Sequence, residues 1–178
     1  MREITLQPGE LSLTRQPAVI STILGSCVSF TMCHSDLGLA AMCHCLLPTR
    51  PHGKPNNPEN RYAYLDATLA EMLSFFVYSG IEPFELKVKL FGGSDVIEAL
   101  SGPKSVGREN LQTSRRLIEL HRLRLVASDT GGPVGRKIIF DTQSGRVRVQ
   151  KMRPTDQTES ALADWLPPTN YPAHVRIA

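Results

Sequence analysis

A chain of 178 residues, 41% hydrophobic and 21% charged, has the size and make-up of one soluble globular domain with a sizeable core. Its formal charge of +3 comes from 20 basic and 17 acidic side chains, and the local basic run Arg115 to Arg124 reads as a solvated helix face. Nucleic-acid binding, which wants a denser basic stripe interleaved with aromatics, is therefore not expected. The sequence contains no apolar run long enough to span a bilayer, and Met1-Arg2-Glu3-Ile4 has no signal-peptide character. Its four cysteines crowd between positions 27 and 45 and do not suggest a disulfide framework. These features predict free thiols, a cytoplasmic location and no membrane insertion.

In chain order, Ile4 to Leu6 and Leu11 to Thr14 read as short strands separated by a Pro8-Gly9 turn, and Pro17 to Leu24 continues extended. From Cys27 to Cys33 the residues alternate. Val28, Phe30 and Met32 point one way; Cys27, Ser29, Thr31 and Cys33 point the other. The run His34-Ser35-Asp36-Leu37-Gly38 supplies a turn, and Leu39 to Leu47 reads as the returning strand. A hairpin pivoting between Ser35 and Asp36 sets Cys27 directly opposite His44, with Cys43 and Cys45 on the other face. A slip of one residue would separate the pair.

That pairing has a chemical use. An imidazole beside a thiol favours the thiolate and can protonate a leaving amine. The hydroxyl of Ser21 is placed to accept the other ring N–H of His44, and backbone N–H groups of Ser26 and Cys27, freed by the Gly25 bend, are candidate oxyanion donors. A buried thiol more often serves as a small apolar side chain, and a lone histidine more often as a satisfied core residue. A zinc site from Cys33, Cys43, His44 and Cys45 is disfavoured, since adjacent strand residues diverge and metal-ligand spacing is missing.

Beyond the hairpin, Thr49 to Asn60 is a proline-rich loop bordering the site, and Arg61 to Tyr78 carries apolar residues at helical spacing with Gly80 as its stop. Leu86, Val88 and Leu90 mark a strand running into Phe91-Gly92-Gly93-Ser94. The glycine pair matches no phosphate-binding spacing and suggests close backbone approach. A short helix over Asp95 to Leu100, a longer one over Arg108 to Arg122, a strand over Leu123 to Ala127 and a glycine-rich loop over Ser128 to Gly135 follow, with Asp129 and Thr130 at the start of that loop. Lys137 to Phe140 and Arg146 to Gln150 form a hairpin turning at Ser144-Gly145. The expected organisation is one domain over residues 1–152 and an irregular Pro-rich tail over 153–178, whose Trp165 and Leu166 dock on the body. Two longer helices among many hairpins predict a layered α/β arrangement with mixed, largely antiparallel sheets.

Leu24-Gly25-Ser26-Cys27-Val28, followed by His44 and Leu46-Leu47-Pro48, resembles the CheD family of chemoreceptor glutamine deamidases. Arg61-Tyr62, Lys89-Leu90-Phe91-Gly92-Gly93, Gly107 with Asn110, Asp129-Thr130-Gly131-Gly132 and Gly135-Arg136 agree in the same order. The resemblance implies an α/β/α sandwich shared with glutamine-deamidating toxins, with Cys27 and His44 as the catalytic pair and Ser21 where the family commonly has threonine. It implies Gly25 and Ser26 as oxyanion support, and Thr22, Arg61, Tyr62, Gly92, Gly93, Asp129 and Thr130 as substrate or partner contacts. Ser94 departs from the alanine usual after the two glycines, and Glu109 from the arginine often found before the asparagine. The implied activity is hydrolysis of protein glutamine to glutamate without metal or organic cofactor, on methyl-accepting chemotaxis receptors, with methylester hydrolysis as a second activity. A CheC-type phosphatase is the implied partner, and the protein is expected to be a monomer. A non-catalytic module regulating such a phosphatase or a receptor is the alternative; acyl transfer to an amine is a third.

Overall fold

A computed structural model describes residues 1–51, 61–95, 105–152 and 175–177. Its strands are β1 (Arg2–Thr5), β2 (Leu11–Thr14), β3 (Ala18–Leu24), β4 (Val28–His34), β5 (Leu39–Cys43), β6 (Lys87–Gly92), β7 (Leu125–Thr130), β8 (Arg136–Asp141), β9 (Val147–Lys151) and β10 (Val175–Ile177). The α-helices are α1 (Leu65–Val77) and α2 (Val106–Leu120). Strands pair in the order β1-β3-β8-β9 in one sheet and β10-β2-β5-β4-β6-β7 in the other. Parallel and antiparallel pairings occur in both. The expected layered α/β fold with mixed sheets and two main helices is the fold adopted.

Strand alternation divides the interior into two layers. Ile20 and Leu24 of β3, Cys33 of β4, Ala40 and Met42 of β5 and Ile138 and Phe140 of β8 meet between the sheets. Val28, Phe30 and Met32 of β4, with Ala41 and Cys43 of β5, face the opposite way and pack under Leu65, Leu69, Met72, Leu73 and Phe76 of α1. Those five side chains are buried, and each adds about 1.5–3 kcal/mol of burial as an upper bound. Among the described residues both helices cover the six-stranded sheet, so the layers run sheet, sheet, helices.

Helix α1 starts later than Arg61 because the chain first forms a bridge between Leu47 and Tyr64. Tyr64 offers no side-chain cap. The first N–H groups of the helix, Leu65 and Asp66, instead donate to the Leu47 and Pro48 carbonyls at 2.9 and 3.4 Å. At α2 the Ser105 hydroxyl accepts from the Arg108 N–H at 3.3 Å, an ordinary N-cap.

Two further boundaries differ from expectation. β7 extends through Asp129 and Thr130, because both pair with β6 opposite Phe91 and Gly92. Within the stretch read as an irregular tail, Val175–Ile177 adds a parallel strand to the edge at β2. The short helix expected after Asp95, most of the proline-rich loop, and Trp165 with Leu166 lie outside the described residues.

Candidate active site

The alternation expected along β4 is observed, but the register differs by two positions. β5 pairs with β4 through His34–Leu39 and Thr31–Met42, and Val28 bridges Cys45. Ser29 therefore lies across from His44, and Cys27 is its diagonal neighbour rather than its direct partner. The turn is the cause: Ser35–Leu37 forms a 3-10 turn completed by Gly38, closing the hairpin later than a pivot between Ser35 and Asp36. A two-residue shift preserves parity, so Cys27 and His44 still share the inter-sheet face. Diagonal neighbours sit roughly 7–8 Å apart at Cα, within reach of long or aromatic side chains.

His44 is 3% exposed. Its backbone is held by the turn before β2, donating to Glu10 O at 2.9 Å and accepting from Gly9 N at 2.8 Å. Its Nδ1 lies 2.7 Å from Thr22 Oγ1, and the Thr22 hydroxyl donates to Leu6 O at 2.8 Å. A carbonyl can only accept, so the hydroxyl proton is committed to Leu6 and the Thr22 oxygen accepts from Nδ1–H. This assigns the tautomer and leaves Nε2 as the basic nitrogen. Burial lowers His44 to about 4, with a hydrogen bond to the Leu6 carbonyl opposing the shift.

Ser21 does not reach His44, which corrects the expectation placed on it. Along β3 the even positions Ala18, Ile20, Thr22 and Leu24 point inward and the odd ones outward. The Ser21 hydroxyl lies 3.4 Å from that of exposed Thr5 instead. Thr22, read as a substrate or partner contact, is the residue beside the imidazole.

Cys27 is half-buried at the edge of the inter-sheet core. Burial pushes its thiol up to about 12, partly offset by its own backbone N–H. The pair is therefore a neutral thiol and a neutral imidazole, not the thiolate favoured by an adjacent imidazolium. Cys43 and Cys45 face the helix layer while Cys33 and His44 face the sheet layer, which divides the four residues weighed as zinc ligands. Among the described residues no group of three or more His, Cys, Asp and Glu is placed to hold a metal.

The bend preceding Cys27 rests on the two-glycine loop. Gly93 N donates to Cys27 O and Ser94 N to Gly25 O, both at 2.8 Å. Gly92 has φ +100°, and a Cβ there would stand 2.1 Å from Cys27 O, so only glycine allows this approach. Gly107 makes the same allowance for α2, since a Cβ would lie 2.8 Å from Ser94 O. Asn110, fully buried, donates from Nδ2 to Ser26 O and Leu46 O, both at 2.9 Å.

Arg136 braces this loop from behind and is fully buried. It donates to the Asp129 carboxylate at 2.7 Å, to Ser94 Oγ at 2.7 Å, and to the Asp129 and Gly131 carbonyls. Burial lowers the guanidinium's pKa and the Asp129 charge opposes that shift. Asp129 and Thr130 thus pair with the strand leading into Gly92 and Gly93, which in turn hold the Cys27 backbone. Ser94, where the resemblance leads one to expect alanine, joins the same network and donates to Val134 O at 2.9 Å. Tyr62 is buried in the helix layer, and exposed Arg61 pairs with Glu71 at 2.6 Å. Neither Arg61 nor Tyr62 touches the thiol or imidazole in these contacts.

Sequence reasoning gave Thr22 another role and attached none to Arg136 or Asn110. Thr22 was signalled by the inward parity of Ile20 and Leu24, and Arg136 by that of Ile138 and Phe140. Asn110 stood in a motif with no role attached.

The fold and this site define a class: a layered α/β protein with a half-buried cysteine and an oriented imidazole on the same inter-sheet face. The CheD chemotactic sensory transduction family model matches residues 46–151. A relative from Geobacter sulfurreducens, described as probable chemoreceptor glutamine deamidase CheD 2, is 38% identical over 153 residues, 86% of this chain and 92% of its own. Probable chemoreceptor glutamine deamidases CheD from Pseudomonas syringae pv. tomato and Pyrococcus abyssi are 36% and 34% identical, covering 88% and 85% of this chain and 93% of each relative. The chain belongs to the CheD family. Among the described residues no helix is long and apolar enough to cross a membrane.

Proposed function

We propose that this protein is a thiol-dependent protein-glutamine amidohydrolase that converts glutamine side chains of chemoreceptors to glutamate with release of ammonia. The observation that carries the reading is the His44 imidazole fixed by Thr22 on the face it shares with partly exposed Cys27.

The residues divide the reaction as follows. His44 Nε2 takes the thiol proton as Cys27 Sγ bonds to the glutamine side-chain carbonyl carbon. The Ser26 and Cys27 N–H groups receive the oxygen that becomes anionic; among the described residues neither is committed to a backbone carbonyl. Imidazolium returns the proton to the amide nitrogen, the C–N bond breaks and ammonia leaves. Water, deprotonated by His44, then cleaves the thioester, freeing glutamate and the thiol.

The relatives' names and the resemblance support chemoreceptors as the substrate class. The resemblance also points to a CheC-type phosphatase as regulatory partner, and the enzyme is read as a cytoplasmic monomer. The test is intact-mass analysis of a glutamine-containing receptor fragment. Wild type is expected to add about 1 Da per converted glutamine, whereas Cys27→Ala and His44→Ala lose conversion by at least a hundredfold with fragment binding intact. Unchanged conversion in Cys27→Ala would remove the enzyme from consideration.

A further inference from the structure

We infer that Asn110 is a positioning residue that sets the oxyanion hole by fixing the peptide plane between Ser26 and Cys27. The inference rests on the amidohydrolase reading and deepens it at the same site.

Asn110 sits inside α2 with no surface exposed. Both its amide protons are used, one on Ser26 O and one on Leu46 O. Its Oδ1 is buried without a hydrogen-bond partner among the described residues. Leaving a buried amide oxygen unsatisfied costs about 1–3 kcal/mol, and turning the amide over would set that oxygen against two carbonyls. The side chain is therefore held as a double donor at the expense of its acceptor.

The two carbonyls it joins are informative. Leu46 lies two residues beyond His44, and Ser26 immediately precedes Cys27. One side chain thus ties the nucleophile's bend to the segment leaving the imidazole. Across a trans peptide the C=O and the following N–H point in opposite directions. Holding Ser26 C=O toward α2 therefore aims Cys27 N–H away from the helix, toward the inter-sheet face that carries the thiol. Ser94 N–H does the same one peptide earlier: it holds Gly25 C=O and so aims Ser26 N–H. Two consecutive donors are oriented before any substrate arrives. Such preorganisation is what stabilises a tetrahedral oxyanion. Gly107 makes the arrangement possible, since α2 could not otherwise approach Gly93 and Ser94 so closely.

The experiment compares wild type, Asn110→Asp and Asn110→Ala on the same receptor fragment, with Cys27 alkylation by iodoacetamide as a control that needs no oxyanion donor. Asn110→Asp keeps the shape but lacks the donors. We expect kcat to fall about a hundred- to a thousandfold in both variants, with KM and the alkylation rate within threefold of wild type. A kcat within threefold of wild type, or equal losses in kcat and alkylation, overturns the assignment. Should both variants fail to fold, butyraldehyde added to wild type supplies the reading, because its hemithioacetal with Cys27 carries an oxygen where the oxyanion forms. The Ser26 and Cys27 amide proton resonances then move downfield; unmoved resonances overturn the assignment. A wild type that binds the aldehyde at Cys27 but never converts glutamine would instead overturn the amidohydrolase reading.

Discussion

Thr22 and Ser21 are neighbours with similar hydroxyls and opposite fates. Thr22 accepts from His44 Nδ1–H and donates its own hydroxyl proton to the Leu6 carbonyl, while Ser21 faces outward beside Thr5. Thr22→Val keeps the shape, removes the acceptor and frees the imidazole to turn. Its kcat should fall on the order of a hundredfold, with Ser21→Ala within twofold of wild type in the same deamidation assay. The reverse order would move the orienting role to Ser21. The inward parity of Ile20 and Leu24 was enough to identify Thr22, but a count back from the cysteine favoured Ser21. Arg136 hid for a different reason: a fully buried guanidinium is rare, and its partners are carbonyls and a carboxylate brought in from other elements.

At the scale of elements, which residues share a face was legible and which oppose one another was not. Facing depends on a period of two and survives a shift of two, so the expected pivot still set Cys27 and His44 on one face. Opposition depends on how the turn closes, and the 3-10 turn at Ser35–Leu37 moved it by two positions. The contact of the glycine-pair loop with the Cys27 bend joins elements far apart in sequence, and only close approach in general could be foreseen. Gly92→Ala tests that contact. A methyl group 2.1 Å from Cys27 O at φ +100° must displace the bend. Urea unfolding should show a loss of roughly 2–5 kcal/mol from overpacking and backbone strain together. A loss under 0.5 kcal/mol would mean that the loop and the bend are not in contact.

For the whole molecule, the layered α/β class followed from the count of hairpins and helices, whereas the order of layers did not. Periodicity marks which face of a sheet is apolar but not what covers it, and here one sheet covers the other while both described helices share a side. Burying His44 between those sheets couples stability to pH. Its folded value of about 4 lies below the ordinary 6.5, so the unfolded chain binds the extra proton between them. The contribution is complete above pH 6.5 and is lost as pH falls through that range toward 4, on the order of 2 kcal/mol by pH 5. Urea unfolding of wild type at pH 7 and pH 5 should show that loss, and His44→Leu should lack it. Desolvation also pushes the Cys27 thiol up, which favours the protonated form at neutral pH, and on the proposed reading His44 then acts as a base during attack instead of holding a preformed thiolate. The most direct test is the rate of Cys27 alkylation by iodoacetamide against pH, read on the Cys27 peptide by mass spectrometry. A neutral pair predicts a rate that rises tenfold per pH unit from 6 to 10 without levelling; a plateau beginning below pH 7 would reveal a thiolate–imidazolium pair and contradict it.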